Sequence, residues 1–292
     1  MLPGTLHARN TEQPWETISA DLVGPLSRSE SQNTWLLVIQ DKFTKWIELQ
    51  PLRKATGSAV AKALREKIFL RHGCPKRIIT DNGRQFIAKE FEDILQHSGV
   101  QHQLTPPYAP HCNPVERANK VIKTMIAQTV EKSQTKWDKF LLELAFAYNT
   151  AHCESTGYTP AYLNFGRELQ SPGSTLRQAA LASEESAKDR ISKLHAAIEL
   201  ARIKIAQNFQ KQQKYYNLRR REWRPKLGDP VLKKAHELSD KSASFNAKLA
   251  PKYEGPYTVY RIRSPVIYDV KTDDHKKSLL RVHIRDLKPY YI

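Results

Sequence analysis

Apolar and polar residues alternate in stretches between residues ~12 and 50, and beyond them blocks with apolar residues at helical spacing are interleaved with short β-like runs. The alternating stretches Glu16–Val23, Thr34–Gln40 and Lys45–Leu49, parted by polar turn segments, predict three strands. Thr56–Arg71 reads as a helix, capped by Thr56 and stopped by Gly73 and Pro75. Arg77–Thr80 is a short buried strand. Ala88–His97 is a second helix, with Phe91, Ile94 and Leu95 at helical spacing and Gly99 behind it, and Val100–Leu104 is another strand. A proline-rich loop, Thr105–Asn113, leads to helices over Pro114–Glu131 and Lys136–Asn149. An antiparallel start followed by alternating strands and helices implies a mixed sheet covered by helices.

The pattern changes after residue 150. Residues 150–175 carry Gly, Pro, Ser and Thr in bursts and form a connector. Leu176–Arg221 holds no Gly or Pro and predicts one or two long helices. Its apolar residues, Leu194, Ile198 and Ile205 and again Leu181, Ile191 and Ala201, suit a self-association seam or a plain amphipathic linker. Arg219-Arg220-Arg221 and Arg224-Pro225-Lys226 mark a boundary. From Gly228 the runs are short and β-like: Pro230–Lys233, Tyr257–Ile262, Val266–Lys271 and Ser278–His283. Such a module suits a small SH3-like barrel. The implied division is a tail over 1–11, an α/β domain over 12–170, a helical linker over 171–224 and a β module over 225–292.

Charge sharpens the picture. Residues 200–292 hold 22 Lys and Arg against 9 Asp and Glu, whereas residues 1–199 hold 25 against 21. A basic tail on a near-neutral, enzyme-like domain suggests a polyanion partner. A solubilising surface or an anionic membrane surface is the other reading. No stretch approaches the ~20 apolar residues of a membrane span, and the N-terminus lacks the apolar core of a signal peptide. Cys74, Cys112 and Cys153 are sparse and odd in number, which fits a reducing compartment. Each has a histidine close by, His72, His111 and His152, but the spacing matches no usual zinc pattern.

Three acids sit in settings suited to metal-assisted phosphoryl transfer. Asp21 lies in the strand ISADLVGPL, Asp81 ends the run Ile78-Ile79-Thr80 before the turn Asn82-Gly83, and Glu116 lies just inside a helix. Hard divalent cations prefer carboxylate oxygens, and two of them about 3.5–4 Å apart clamp the attacking and leaving oxygens of an in-line displacement. Lys120 and Lys123 follow Glu116 at i+4 and i+7 and share its face, placed for DNA phosphates or for an ordinary solvent-facing Glu–Lys pair. Asp41, ending a strand, is a fourth acid, but QDKFTKW fits a turn entry better.

At these blocks the chain resembles the integrases of gypsy-type LTR retrotransposons. TDNGRQF and NPVERANK resemble the second and third catalytic blocks, and DPVLKK, KLAPKYEGPYTV and VHIRDLKPYY resemble the small C-terminal module with its Gly255-Pro256-Tyr257 signature. The loop before Glu116 is one residue shorter than usual, with Asn113-Pro114 in place of a glycine turn, and the family's N-terminal zinc module is not found. The resemblance implies a ribonuclease H-like core with a mixed five-stranded sheet. It also implies 3′-end processing of element DNA and strand transfer into target DNA, with water and then the new 3′-hydroxyl as nucleophile. Asp21 would bridge two Mg²⁺ ions (Mn²⁺ as substitute), Asp81 completing one site and Glu116 the other. Lys120 and Lys123 would touch DNA, Asn119 would lie near the site, and Tyr108 would position the nucleophile or DNA end. Arg219, Arg220, Arg221 and Lys252 would bind DNA. In the β module Lys248, Lys252, Tyr253 and Tyr257 interleave bases with aromatics, but KYEGPYTV could equally be barrel core and turn. A homo-oligomer acting in the nucleus follows, with no membrane and no small-molecule substrate. An inactive DNA-binding relic and a ribonuclease H-like nuclease are the rival readings.

Overall fold

The computed structural model describes residues 2–3, 13–105, 115–130, 134–171, 186–217, 220–221, 223–235, 251–272 and 278–290. These form two compact units, one drawing on Arg9–Leu104 and Asn113–Phe209, the other mainly on Gln210–Ile292.

The first unit is a three-layer α/β structure. Its strands are β1 (Thr17–Val23), β2 (Trp35–Asp41), β3 (Ile47–Leu52), β4 (Arg77–Thr80) and β5 (Gln101–Leu104). They line up as β3-β2-β1-β4-β5, antiparallel on one side of β1 and parallel on the other. The expected mixed five-stranded sheet with helices is therefore present. Ile18 and Ala20 face one side and pack with Leu37, Ile39 and Ile78 against α1 (Gly57–Leu64) and α2 (Lys89–His97). Val23, Leu36 and Val38 face the other and pack against α3 (Glu116–Val130) and α4 (Leu141–Thr150). Asp21 alternates with Ala20 and Leu22, so it shares the α3 side with Val23.

Several boundaries differ from the periodicity. The helix expected over Thr56–Arg71 starts on the cap foreseen, Thr56 Oγ1 accepting from Ala59 N at 3.2 Å. It then widens into a π turn at Arg65–Phe69 before ending at His72. The helix expected over Lys136–Asn149 begins as a 3-10 turn, Gln134–Phe140. The connector after residue 150 contains α5 (Pro160–Phe165), capped by Thr159, with Pro160 in its first turn and Gly166 left-handed behind it. The long helix is one piece, α6 (Ala187–Asn217), burying Ala197 and Ala201 against Phe43 and Leu163. Arg220–Arg221, expected in that helix, pair instead as a two-residue strand with Leu2–Pro3.

The second unit is a five-stranded antiparallel sheet of β6 (Pro230–Lys234), β7 (Tyr253–Ser264), β8 (Ile267–Lys271), β9 (Ser278–His283) and β10 (Leu287–Pro289), in the order β9-β8-β7-β6-β10. The strand expected over Tyr257–Ile262 is longer because Gly255-Pro256 sits inside it as a bulge, between the pairs Val231↔Tyr257 and Lys233↔Glu254. Tyr257 is buried among Val231, Val259 and Val270, so the Gly-Pro-Tyr signature is largely structural.

The outer strand β3 is held by a side chain. Asn149 Oδ1 accepts from Ile47 N at 2.9 Å and Asn149 Nδ2 donates to Ile47 O at 3.0 Å, pairing backbone groups that no strand among the described residues pairs on that side. Its alanine variant would leave both buried groups unsatisfied, at roughly 1–3 kcal/mol each. We expect Asn149→Ala to lower unfolding free energy by about 2–4 kcal/mol, against about 1 kcal/mol for Thr56→Ala. Urea denaturation of both variants checks the ranking; equal midpoint shifts would contradict it.

Candidate active site

The site is set by strand register. In the parallel pair β1·β4, Thr17, Ile18 and Ser19 lie opposite Arg77, Ile78 and Ile79, a constant offset of 60 residues. Carried two residues past the last pair, Ser19↔Ile79, the same offset sets Asp21 level with Asp81, which follows the last residue of β4, beside the point where the sheet turns from antiparallel to parallel. Level residues of neighbouring strands are about 5 Å apart, so two like charges are held close. Burial, and after it the Asp81 charge, push the Asp21 carboxyl up to about 6.

Each carboxylate is fixed by backbone and amide donors. Asp21 Oδ1 accepts from Leu22 N at 2.9 Å, and Asp21 Oδ2 accepts from Asn119 Nδ2 at 2.5 Å. Asp81 Oδ1 accepts from Gly83 N at 2.9 Å. A Cβ at Gly83 would stand 2.2 Å from Gln85 Nε2 and 2.9 Å from that same oxygen, so a larger residue would displace both side chains. Asn119 is buried, and its Oδ1 has no hydrogen-bond partner among the described residues. Lys123, one helical turn further along α3, faces the Asp21 charge and lowers its pKa.

The structure brings together four of the residues singled out from sequence: Asp21, Asp81, Asn119 and Lys123. Glu116 is the first residue of α3, three positions before Asn119; its carboxylate lies outside the described residues. Tyr108, Lys248 and Arg219 also lie outside them, as do the side chains of Arg220 and Arg221. Lys120 is exposed on α3, and Lys252 is exposed just before β7, its carbonyl accepting from Ala235 N. Asp41 ends β2 and holds the turn that follows: it is fully buried and accepts from Trp15 N, Thr44 N and Thr44 Oγ1. His72 stacks on Trp15 at 3.7 Å and meets Glu48, while His152 meets the Gly157 carbonyl.

The donor set fits a hard divalent cation. Two carboxylates are forced together by the sheet, and the buried, unpartnered amide oxygen of Asn119 adds hard-oxygen character beside them. Among the described residues alone no group of three His, Cys, Asp or Glu assembles.

Sequence reasoning missed one feature next to this site. A cavity of about 250 Å³ opens between β1, α3 and the 3-10 turn, lined by Val23, Ile126, Ala127 and Trp137, with Lys123 and Gln134 also bordering it. Its walls come from segments more than 100 residues apart, which no local pattern joins.

Comparison with known proteins fits this geometry. The integrase core domain family matches residues 11–110, and a domain family of unknown function, DUF8803, matches residues 226–291. Gypsy retrotransposon integrase-like protein 1 of Bos taurus is 30% identical over 169 residues, 58% of this chain and 34% of that protein. The retrovirus-related Pol polyprotein from transposon 412 of Drosophila melanogaster is 25% identical over 285 residues, 96% of this chain and 22% of that one. The chain thus spans about a third or less of these relatives. A chain of the simian T-cell lymphotropic virus intasome, solved with PP2A regulatory subunit B56 gamma, shares the fold with a TM-score of 0.63 at 16% identity, covering 100% of this chain and 84% of that one.

The raised Asp21 pKa has a sign that can be measured. The folded value near 6 exceeds the ordinary 3.8, so the folded state holds this proton more tightly than the unfolded one. The site's contribution to stability is full below pH 3.8 and is lost as pH rises through 6. We expect metal-free Asp21→Asn to be more stable than wild type at pH 8, the gain vanishing by pH 4. Thermal melts at the two pH values check this; a gain independent of pH would contradict the assignment.

Proposed function

We propose, for a chain whose matched core and relatives support a gypsy-type integrase, that it is a polynucleotidyl transferase acting on the ends of element DNA and joining them to target DNA. The observation that carries the reading is the register that sets Asp21 level with Asp81, tied through Asn119 to the helix that Glu116 begins. Asp21, Asp81 and Glu116 would hold Mg²⁺, for which Mn²⁺ would substitute. Such ions supply nucleophile activation and charge neutralisation at the transferred phosphate.

The chain's own groups do the positioning. Asn119 and the Leu22 amide fix the two oxygens of Asp21, so the carboxylate is presented in one orientation. The Gly83 amide does the same for Asp81. Lys123 sets a cation beside the acids, where it would hold a phosphate of the DNA end, with Lys120 exposed one turn closer to Glu116. Phosphate contacts of this kind fix position and carry little sequence information.

The second unit serves DNA capture in this reading, its sheet completing a small SH3-like barrel. Its basic excess supplies charge for counterion release. Lys288 Nζ lies 5.6 Å from the centre of the Tyr253 ring, next to exposed Lys252. Domain limits near residues 170 and 225, assembly of several copies on paired DNA ends, and work on chromosomal DNA in the nucleus belong to the same proposal.

Two experiments test it. Asp81→Asn removes one negative ligand without opening a cavity; it should abolish Mg²⁺-dependent strand transfer on model DNA ends while the far-ultraviolet dichroism stays native. Near-wild-type joining by that variant would overturn the site. Lys123→Ala should flatten the dependence of DNA-end affinity on salt by about 0.9 in the log–log slope for each phosphate that the lysine neutralises. An unchanged slope would move Lys123 out of the DNA interface.

A further inference from the structure

The cavity beside the acids has the size, chemistry and position of a nucleobase slot, and we propose that it receives one unstacked base of the DNA whose phosphate lies at Asp21 and Asp81. The inference rests on the polynucleotidyl-transferase reading and names part of its substrate.

Size comes first. An apolar cavity of about 150 Å³ takes up a benzene ring; this one, about 250 Å³, has room for a larger flat heterocycle. Its walls are the aliphatic groups of Val23, Ile126 and Ala127 with the indole of Trp137. The Trp137 ring is locked, its Nε1 donating to Ser27 O at 2.8 Å. Polar groups also border the space: Ser27 Oγ donates to Gln134 Oε1 at 3.0 Å, and the Gln134 side-chain amide offers N–H donors to a base edge at the rim. An apolar floor with a few placed polar groups is the usual make-up of a pocket for a flat, edge-polar ligand.

Position then selects the occupant. Val23 lies two residues beyond Asp21 on the same face of β1, about 7 Å away by strand rise. On α3, Asn119 grips Asp21, Lys123 faces the Asp21 charge and also borders the cavity, and Ile126 and Ala127 line it one turn later. The acids and the cavity are therefore successive stations along the same strand and helix, with a cation between them. A nucleotide has that layout: a phosphate, then a base one sugar away. An oily side chain from another protein would fit the walls but would have no use for Lys123 or the neighbouring acids.

The test uses the full chain and Ala127→Phe, which plugs the cavity from an exposed position and so spares the buried core. The probes are duplexes of one fixed end sequence, intact or abasic at one of the last four nucleotides of either strand. Losing a stacked base costs roughly tenfold in affinity. At one abasic position wild type should lose about that much in end binding and in Mg²⁺-dependent joining. Ala127→Phe should show the same loss on intact DNA and no further loss on that abasic duplex, because a shared interaction can be removed only once. Additive losses, or an Ala127→Phe variant that binds and joins intact ends as wild type does, would overturn the slot. A 2-aminopurine at the same nucleotide gives a second reading: its fluorescence should change on binding wild type and not Ala127→Phe, and an equal change with both would also overturn it. If wild type joins no DNA under any condition, the transferase reading itself fails, an outcome separate from a wild type that joins and a plugged variant that joins equally well.

Discussion

Two carboxylates that repel each other sit side by side because the backbone gives them no alternative. The hydrogen-bond ladder of β1 and β4 fixes an offset of 60 residues, and that offset decides which acids meet. Sliding by one residue would turn Asp81 to the opposite face of the sheet and set Asp21 level with Thr80 or Asn82 instead. Register is protected in turn by the apolar layer that Ile18 and Ile78 share, since both are fully buried and a slip would expose them. The core of the first unit therefore holds a like-charge pair in place against its own electrostatics.

Asn119 connects this arrangement to the helix layer. It offers its amide hydrogens to Asp21 and keeps a buried oxygen unpaired. An unpaired buried acceptor costs free energy, as does the raised pKa of Asp21. Both costs fall on the same few ångströms of the molecule, where Asp21, Asp81 and Asn119 meet. Concentrated cost of this kind is what a site shaped for a ligand, rather than for stability, looks like.

Much of this was legible in the sequence. Asp21 in an alternating strand and Asp81 at the end of a β-branched run are local patterns, and a mixed sheet covered by helices followed from the alternation of periods. The hydrogen bonds of Asn119 with Asp21 and of Asn149 with Ile47 join residues 98 and 102 apart, and nothing local encodes them. The cavity is invisible for the same reason. The short helix α5 is a different case: Thr159, Pro160 and Gly166 form a full set of start and stop signals, but six helical residues carry too little periodicity to stand out among turn formers. The π turn at Arg65–Phe69 left the apolar spacing intact, and periodicity reads only the spacing. In the second unit, alternation located the strands, whereas the bulge at Gly255-Pro256 hid the first residues of β7.

The Asn149 amide has one more consequence. A sheet's outermost strand offers unpaired backbone groups to any passing chain, and such strands are where proteins stick to one another. On β3 a side chain from α4 fills that role at Ile47, while Pro51, further along the same strand, has no N–H to offer. At the far side β5 is only four residues long. The sheet is thus blunted at both margins, by a borrowed amide and a proline on one and by brevity on the other, which guards a protein with many basic, solvent-facing side chains against growing into a fibre.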